Sequence, residues 1–206
     1  MSAWSKKQLG WVRVQNVNGN VAHYLLKSCT SDVIWEVHHN MQEGMEYFLL
    51  ELRYPCSFDL GLDHHNGWLS DRGGLAIWHV DESTDQNNAQ PPKDGTFFEH
   101  YRVSLVQGDG LYNLESRGDY KNNGDPRDLF MNLWGHRHDK AYRIDNHGTT
   151  QCDGVTWSSE PNTMKYATGF EEYTGITFQV DWGYDVWMGV HVYLDGAGDH
   201  SGTMLP

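Results

Sequence analysis

The chain has no run long and apolar enough to form a transmembrane helix. Basic side chains are scarce: Lys and Arg number 15 against 28 Asp and Glu, a formal net charge of −13. That balance excludes the basic footprint a nucleic acid needs and the attraction that holds a protein on an anionic membrane. It suits an exported, soluble protein, including one rich in bound calcium. Cysteine is limited to Cys29, Cys56 and Cys152. An odd count allows one disulfide and one free thiol, or three thiols. No two of the three have the close spacing of a zinc motif. Met1-Ser2-Ala3-Trp4-Ser5-Lys6-Lys7 lacks the apolar core of a signal peptide. A His-Glu-x-x-His motif is missing as well. His38-His39, His64-His65 and His136-x-His138 lack the helical spacing of a zinc protease, and read as solvated loop histidines.

Aromatics and glycine are plentiful, with 9 Trp, 11 Tyr and 22 Gly. Together they predict strands and tight turns rather than a helical bundle. Gly74-Leu75-Ala76-Ile77-Trp78-His79-Val80-Asp81-Glu82 is apolar on both alternating faces, the pattern of a central strand. Glu46-Tyr47-Phe48-Leu49-Leu50-Glu51-Leu52-Arg53 is a second strand, with a carboxylate inside it. Ser2 caps a short helix that stops at Gly10. Strands are expected over 11–17, 21–27 and 32–38, the first two joined as a hairpin by Asn18-Gly19-Asn20. Further strands are expected over 100–107, 176–181 and 184–194. The fold class that follows is mainly β: an antiparallel meander or sandwich-like domain over 1–194, with long loops and few short helices. Residues 55–73 and 83–96 read as loops, and 113–165 as a long polar and glycine-rich region with little periodicity that something must hold in place. Residues 195–206 read as a flexible tail. Trp68, Trp134 and Trp157 lie in polar stretches, where they can form a sugar platform, wall a cleft or cover core edges.

Two constellations could carry chemistry. Glu51, Arg53, Asp59, His79 and Asp81 form the first. A buried carboxylate needs a partner, and Arg53 or His79 can serve Glu51. His79 could act as a general base, but no Ser or Cys nucleophile sits in a recognisable elbow. The cluster is therefore read as a structural one that orders the central strands. The second is Asp109, Asp119, Asn123, Asp125 and Asp128, hard oxygen ligands among glycines, as calcium requires. Asx-turns and helix caps use the same residues. It is not an EF-hand, since Lys121 takes a ligand position and Phe130 stands where the bidentate acid belongs.

The two central stretches also carry a resemblance. Tyr47-Phe48-Leu49-Leu50-Glu51-x-Arg53, then Asp59, then Gly74-Leu75-x-Ile77-Trp78-His79-Val80-Asp81-Glu82 resembles the immune inhibitor A family of secreted zinc metallopeptidases. Ala3-Trp4-Ser5-Lys6-x-x-Leu9-Gly10-Trp11-Val12 is similar to the segment that follows the catalytic region there. Val103-x-Leu105-Val106-Gln107-x-Asp109-Gly110, Gly124-Asp125-x-x-Asp128-Leu129-Phe130, Ser158-Ser159-x-Pro161 and Tyr173-x-Gly175-Ile176 follow in the family's order. The likeness covers roughly 1–182. The family's zinc helix is the departure. The resemblance thus implies the part of a secreted metallopeptidase that follows the zinc helix, with Met1 internal to a longer parent. It implies a lobe that walls the cleft on its primed side and stabilises the catalytic half, its natural partner alongside a protein or peptide substrate. Zinc would belong to that half, and this chain alone would be inactive. The alternative is a non-catalytic β-rich binding or adhesion module.

Overall fold

The computed structural model describes residues 1–39, 45–60, 73–84, 101–108, 114, 128–130, 142–145, 148–151, 156–158, 174–184 and 187–194. They form two facing sheets. Helix α1 is Ala3–Gln8, and the strands are β1 Arg13–Val17, β2 Val21–Leu26, β3 Val33–Val37, β4 Glu46–Arg53, β5 Gly74–Asp81, β6 Val103–Leu105, β7 Tyr142–Asp145, β8 Gly148–Gln151, β9 Thr156–Ser158, β10 Ile176–Tyr184 and β11 Trp187–Leu194. One sheet runs β1-β3-β4-β5-β6 and the other β2-β11-β10-β7-β8-β9. The mainly β, sandwich-like architecture is the one expected.

Between the sheets lies the main core. Phe48, Leu50 and Leu52 of β4 and Leu75 and Ile77 of β5 meet Phe178 and Val180 of β10 and Val190 and Val192 of β11. These are alternate residues along each strand, so one face of each is spent on this layer. β5 sits between β4 and β6 with both faces covered, as its two apolar faces predict.

Ser2 caps α1, its hydroxyl accepting from the Ser5 amide at 3.2 Å. At six residues the helix is too short to hold by itself. Ala3 and Trp4 anchor it in a second apolar cluster with Ile34, Tyr47, Leu49 and Val80, on the outer face of the first sheet.

Two expectations are corrected. Asn18-Gly19-Asn20 does not close a hairpin. β1 pairs with β3, in parallel, while β2 crosses to the other sheet and pairs with β11. The Asn20 side chain accepts from the Leu194 amide at 2.8 Å, which ties the connection to β11. Val17 and Leu25 then enter the same core from opposite sheets, and this packing overrides the local turn signal. Secondly, 113–165 is not strand-free. β7, β8 and β9 form an antiparallel ladder on the edge of β10, where Phe178 pairs with Ile144. Strands of three or four residues are too short for a period of two to show in sequence. The expected tail, 195–206, lies outside the described residues.

A disulfide joins Cys29 to Cys56. It closes the corner where the ends of β2 and β4 meet, beside the Lys27–Leu52 bridge and the bond from the Ser28 amide to the Leu52 carbonyl. For a loop of this separation, 27 residues, chain-entropy arguments give about 3–4 kcal/mol of stabilisation. Cys152 lies outside the described residues.

Candidate functional site

β4 sends Tyr47, Leu49, Glu51 and Arg53 outward, because Phe48, Leu50 and Leu52 face the core. Pairing with β5 puts Glu51 opposite Ala76 and Arg53 opposite Gly74. Both partners are small, which leaves room above them for charged side chains. Arg53 is only 3% exposed and spans two carboxylates. Its Nη1 donates to Glu51 Oε1 at 2.9 Å and its Nη2 to Asp59 Oδ1 at 2.7 Å. Nη1 also donates to the Met1 carbonyl at 2.7 Å. Trp78 Nε1 donates to Glu51 Oε1 at 3.1 Å, and Ser28 Oγ to Asp59 Oδ2 at 3.1 Å. Lys6, reaching down from α1, donates to Glu51 Oε2 at 2.6 Å.

The four side chains balance, two cations against two carboxylates, and the Met1 ammonium lies close enough to interact with all four. Burial by itself would raise the Glu51 carboxyl, but Arg53 and Lys6 outweigh it and hold the group below the ordinary glutamate range. Burial likewise works against the Arg53 cation, and Glu51 and Asp59 more than offset that. A second contact of the same kind lies beside it. Glu36 of β3 accepts from Lys7 and from His38, and these outweigh its burial to keep it ionised. Glu82 collects Trp4 Nε1 at 2.7 Å and the Tyr47 hydroxyl at 2.8 Å. The Tyr47 hydroxyl is pushed well up, first by burial and then by Glu82. Helix α1 is thus fastened to the sheet by Trp4, Lys6 and Lys7, each on a different carboxylate.

Of the five residues proposed as one polar cluster, the structure brings three together and separates two. Glu51, Arg53 and Asp59 share one site. His79 and Asp81 belong to the opposite face, since β4–β5 register sets His79 across from Phe48 and Asp81 across from Glu46. His79 pairs with Glu46 at 2.8 Å, both buried, and stacks on Phe48 with ring centroids 4.5 Å apart. Asp81 turns the chain after β5, its carboxylate accepting from the amide and hydroxyl of Ser83. His79 is therefore not the partner of Glu51. Lys6, Trp78, Ser28 and Glu46 are the participants that sequence reasoning missed. Glu36 carried a signal, being an acid in the alternating row of Ile34, Glu36 and His38.

Next to the cluster is a cavity of about 870 Å³ at the corner of the sandwich, lined by Lys6, Glu51, Arg53 and Asp59 below and by Trp11, Leu26 and the disulfide at its sides.

Of the expected calcium ligands, Asp109, Asp119, Asn123 and Asp125 lie outside the described residues. Asp128 is fully buried, and its carbonyl accepts from the Gly108 amide at 3.0 Å. The following Leu129 and Phe130 are buried too, and Phe130 exchanges backbone hydrogen bonds with Leu75. This short segment is therefore pinned to the start of β5. Among the described residues no three His, Cys, Asp or Glu side chains are grouped as a metal ion would need, so these residues do not fit a zinc centre. His64, His65, His136 and His138, with Trp68 and Trp134, lie outside the described residues, as does the Trp157 side chain. No described helix is long and apolar enough to cross a membrane. Compared with known proteins, the chain matches no family model and no curated protein.

Proposed function

We propose that this chain is the β-rich lobe that follows the zinc helix of a secreted metallopeptidase resembling immune inhibitor A. In that role it walls the substrate cleft and stabilises the catalytic half, which supplies the zinc ligands and the peptide-bond chemistry. One observation carries the reading. The residues that bear the resemblance, scattered from Trp4 to Glu82, are the ones that hold one another. Lys6, Glu51, Arg53, Asp59 and Trp78 make one hydrogen-bonded cluster, and Trp4, Tyr47 and Glu82 make the next. A sequence signature of this kind records a docking solution, a short helix locked on a sheet by buried charge, and not a set of isolated matches. The Cys29–Cys56 disulfide supports an oxidising, extracellular setting.

The test is reconstitution. A His-Glu-x-x-His half encoded upstream, expressed separately and mixed with this chain, is expected to gain chelator-sensitive cleavage of unfolded casein. This chain alone with zinc is expected to cleave nothing. Cleavage by the chain alone, or no association with such a half, overturns the reading. Calcium belongs to the same proposal, with Asp109, Asp125 and Asp128 as first ligands and Asp119 and Asn123 as second. Millimolar calcium is expected to raise the melting temperature over chelator by mass action, and Asp125→Ala to diminish the shift. The effect fades as pH falls into the carboxylate range, because the ligands must be ionised. An equal shift in the variant means that Asp125 is not a ligand.

The cavity beside Arg53 favours the second reading, a non-catalytic binding module.

A further inference from the structure

The corner cavity joins an apolar mouth to a charged floor. Trp11 and Leu26 stand at its sides, 59% and 48% exposed although both are large and apolar. Val12, Val33 and the Cys29–Cys56 disulfide continue the apolar wall. Its volume, about 870 Å³, is of the size that encloses a small organic molecule. Ser57, on the lining, is the only non-glycine residue with positive φ among those described, at 55°. Backbone held this way is a feature of ligand sites as well as of turns.

The floor decides the ligand's polar group. Each oxygen of its two carboxylates already accepts a hydrogen bond. Glu51 Oε1 takes Arg53 and Trp78, and Oε2 takes Lys6. Asp59 Oδ1 takes Arg53, and Oδ2 takes Ser28. Lys6 is different. An ammonium carries three N–H donors; Lys6 gives one to Glu51 and is 19% exposed at the side chain. The floor therefore offers a ligand an N–H donor and asks for an acceptor. Charge narrows the choice further. The four side chains balance, and the Met1 ammonium on the same lining adds positive charge to them, so a cationic ligand would be repelled in a partly desolvated place. An acceptor oxygen, neutral or anionic, meets Lys6 without that cost.

We propose that this cavity binds a small ligand with an apolar, aromatic or branched body and an amide, ketone or carboxylate oxygen that accepts from Lys6. One residue of a peptide supplies that chemistry, and so does a free aryl amide. The inference stands apart from the metallopeptidase reading, since it needs only the described lining residues of this chain.

The test is an amide-resolved NMR titration of the full chain with N-acetyl-phenylalaninamide. Parallel titrations use anionic N-acetyl-phenylalanine, cationic phenethylamine and the capped tripeptide Ala-Phe-Ala. Saturable shifts are expected at Lys6, Leu26 and Val33. Affinities for the uncharged amide and for the anionic analogue should each exceed that for the cationic amine by roughly tenfold or more. A tripeptide that binds tighter than the single amide identifies a peptide as the source, and one that binds weaker identifies a free small molecule. Leu26→Asp changes an exposed wall position and is expected to fold and to lose binding roughly tenfold or more. Lys6→Met is expected to erase the preference for the two oxygen acceptors over the amine. No saturable shift in the millimolar range, shifts confined to other parts of the molecule, or undiminished binding by Leu26→Asp overturns the proposal.

Discussion

On the inner face of β4, Phe48, Leu50 and Leu52 meet the second sheet; one residue along, on the outer face, Leu49, Glu51 and Arg53 meet a helix of six residues. Both faces are buried to a similar degree. The inner face is closed by apolar area, which is non-directional and tolerates any well-packed partner. The outer face is closed by buried charge, which is directional. A buried ion pair adds little net stability over a well-packed apolar set, yet removing one member leaves the others uncompensated. That difference explains how so short a helix finds one position. Ala3 and Trp4 supply some apolar contact, but the lysines select the register by landing on Glu51 and Glu36.

The largest effect is expected from Arg53→Met. It takes the shared cation from both carboxylates, leaving Glu51 to Lys6 and Trp78 and Asp59 to Ser28, and is expected to destabilise by about 5 kcal/mol, at the upper end for a broken buried pair. Denaturant unfolding measures it. Adding Glu51→Leu to the same chain is expected to recover part of the loss, because a charge is then removed together with its partner. No recovery would mean that Arg53 acts through packing alone. Phe48→Ala probes the inner face, where a cavity is left between the sheets beside Phe178 and His79. Its expected cost is about 4 kcal/mol, with no rescue from any charge change. Lys6→Met is expected to cost only about 1 kcal/mol, since Lys6 is partly solvated and Arg53 remains on Glu51. A larger loss, equal to that of Arg53→Met, would make the helix lysine the keystone and not the guanidinium.

Much of this contrast was legible in the sequence. β4 and β5 announced themselves by apolar residues on both faces, and Glu51 by being an acid among them. That Arg53 shares its face follows from the period of two. Which residues of β5 share that face does not, because it depends on register. A slip by one residue would have put His79 on the same face as Glu51, and only the pairing of Arg53 with Gly74 settles it. The wrong hairpin at Asn18-Gly19-Asn20 has the same origin. Turn chemistry is local, whereas β1 and β2 go to different sheets to bury Val17 and Leu25. Neither the cavity nor the Cys29–Cys56 pairing could be read in advance, since both arise where the ends of β2 and β4 meet, distant in sequence.

The central claim is that ionised Glu51 fastens the outer face. Its carboxyl lies below its unfolded-state value when folded, so its contribution is fully present above that value, about pH 4.3, and is lost as pH falls through the lower folded value. The most direct test is the unfolding free energy of the parent chain and of Glu51→Gln, measured in denaturant from neutral pH down through the carboxylate range. The gap between the two is expected to be widest near neutrality and to narrow steadily on acidification, as the parent loses a term that the glutamine variant never had. Two curves that run parallel at every pH would show that the Glu51 charge does not hold this face, and would contradict the account.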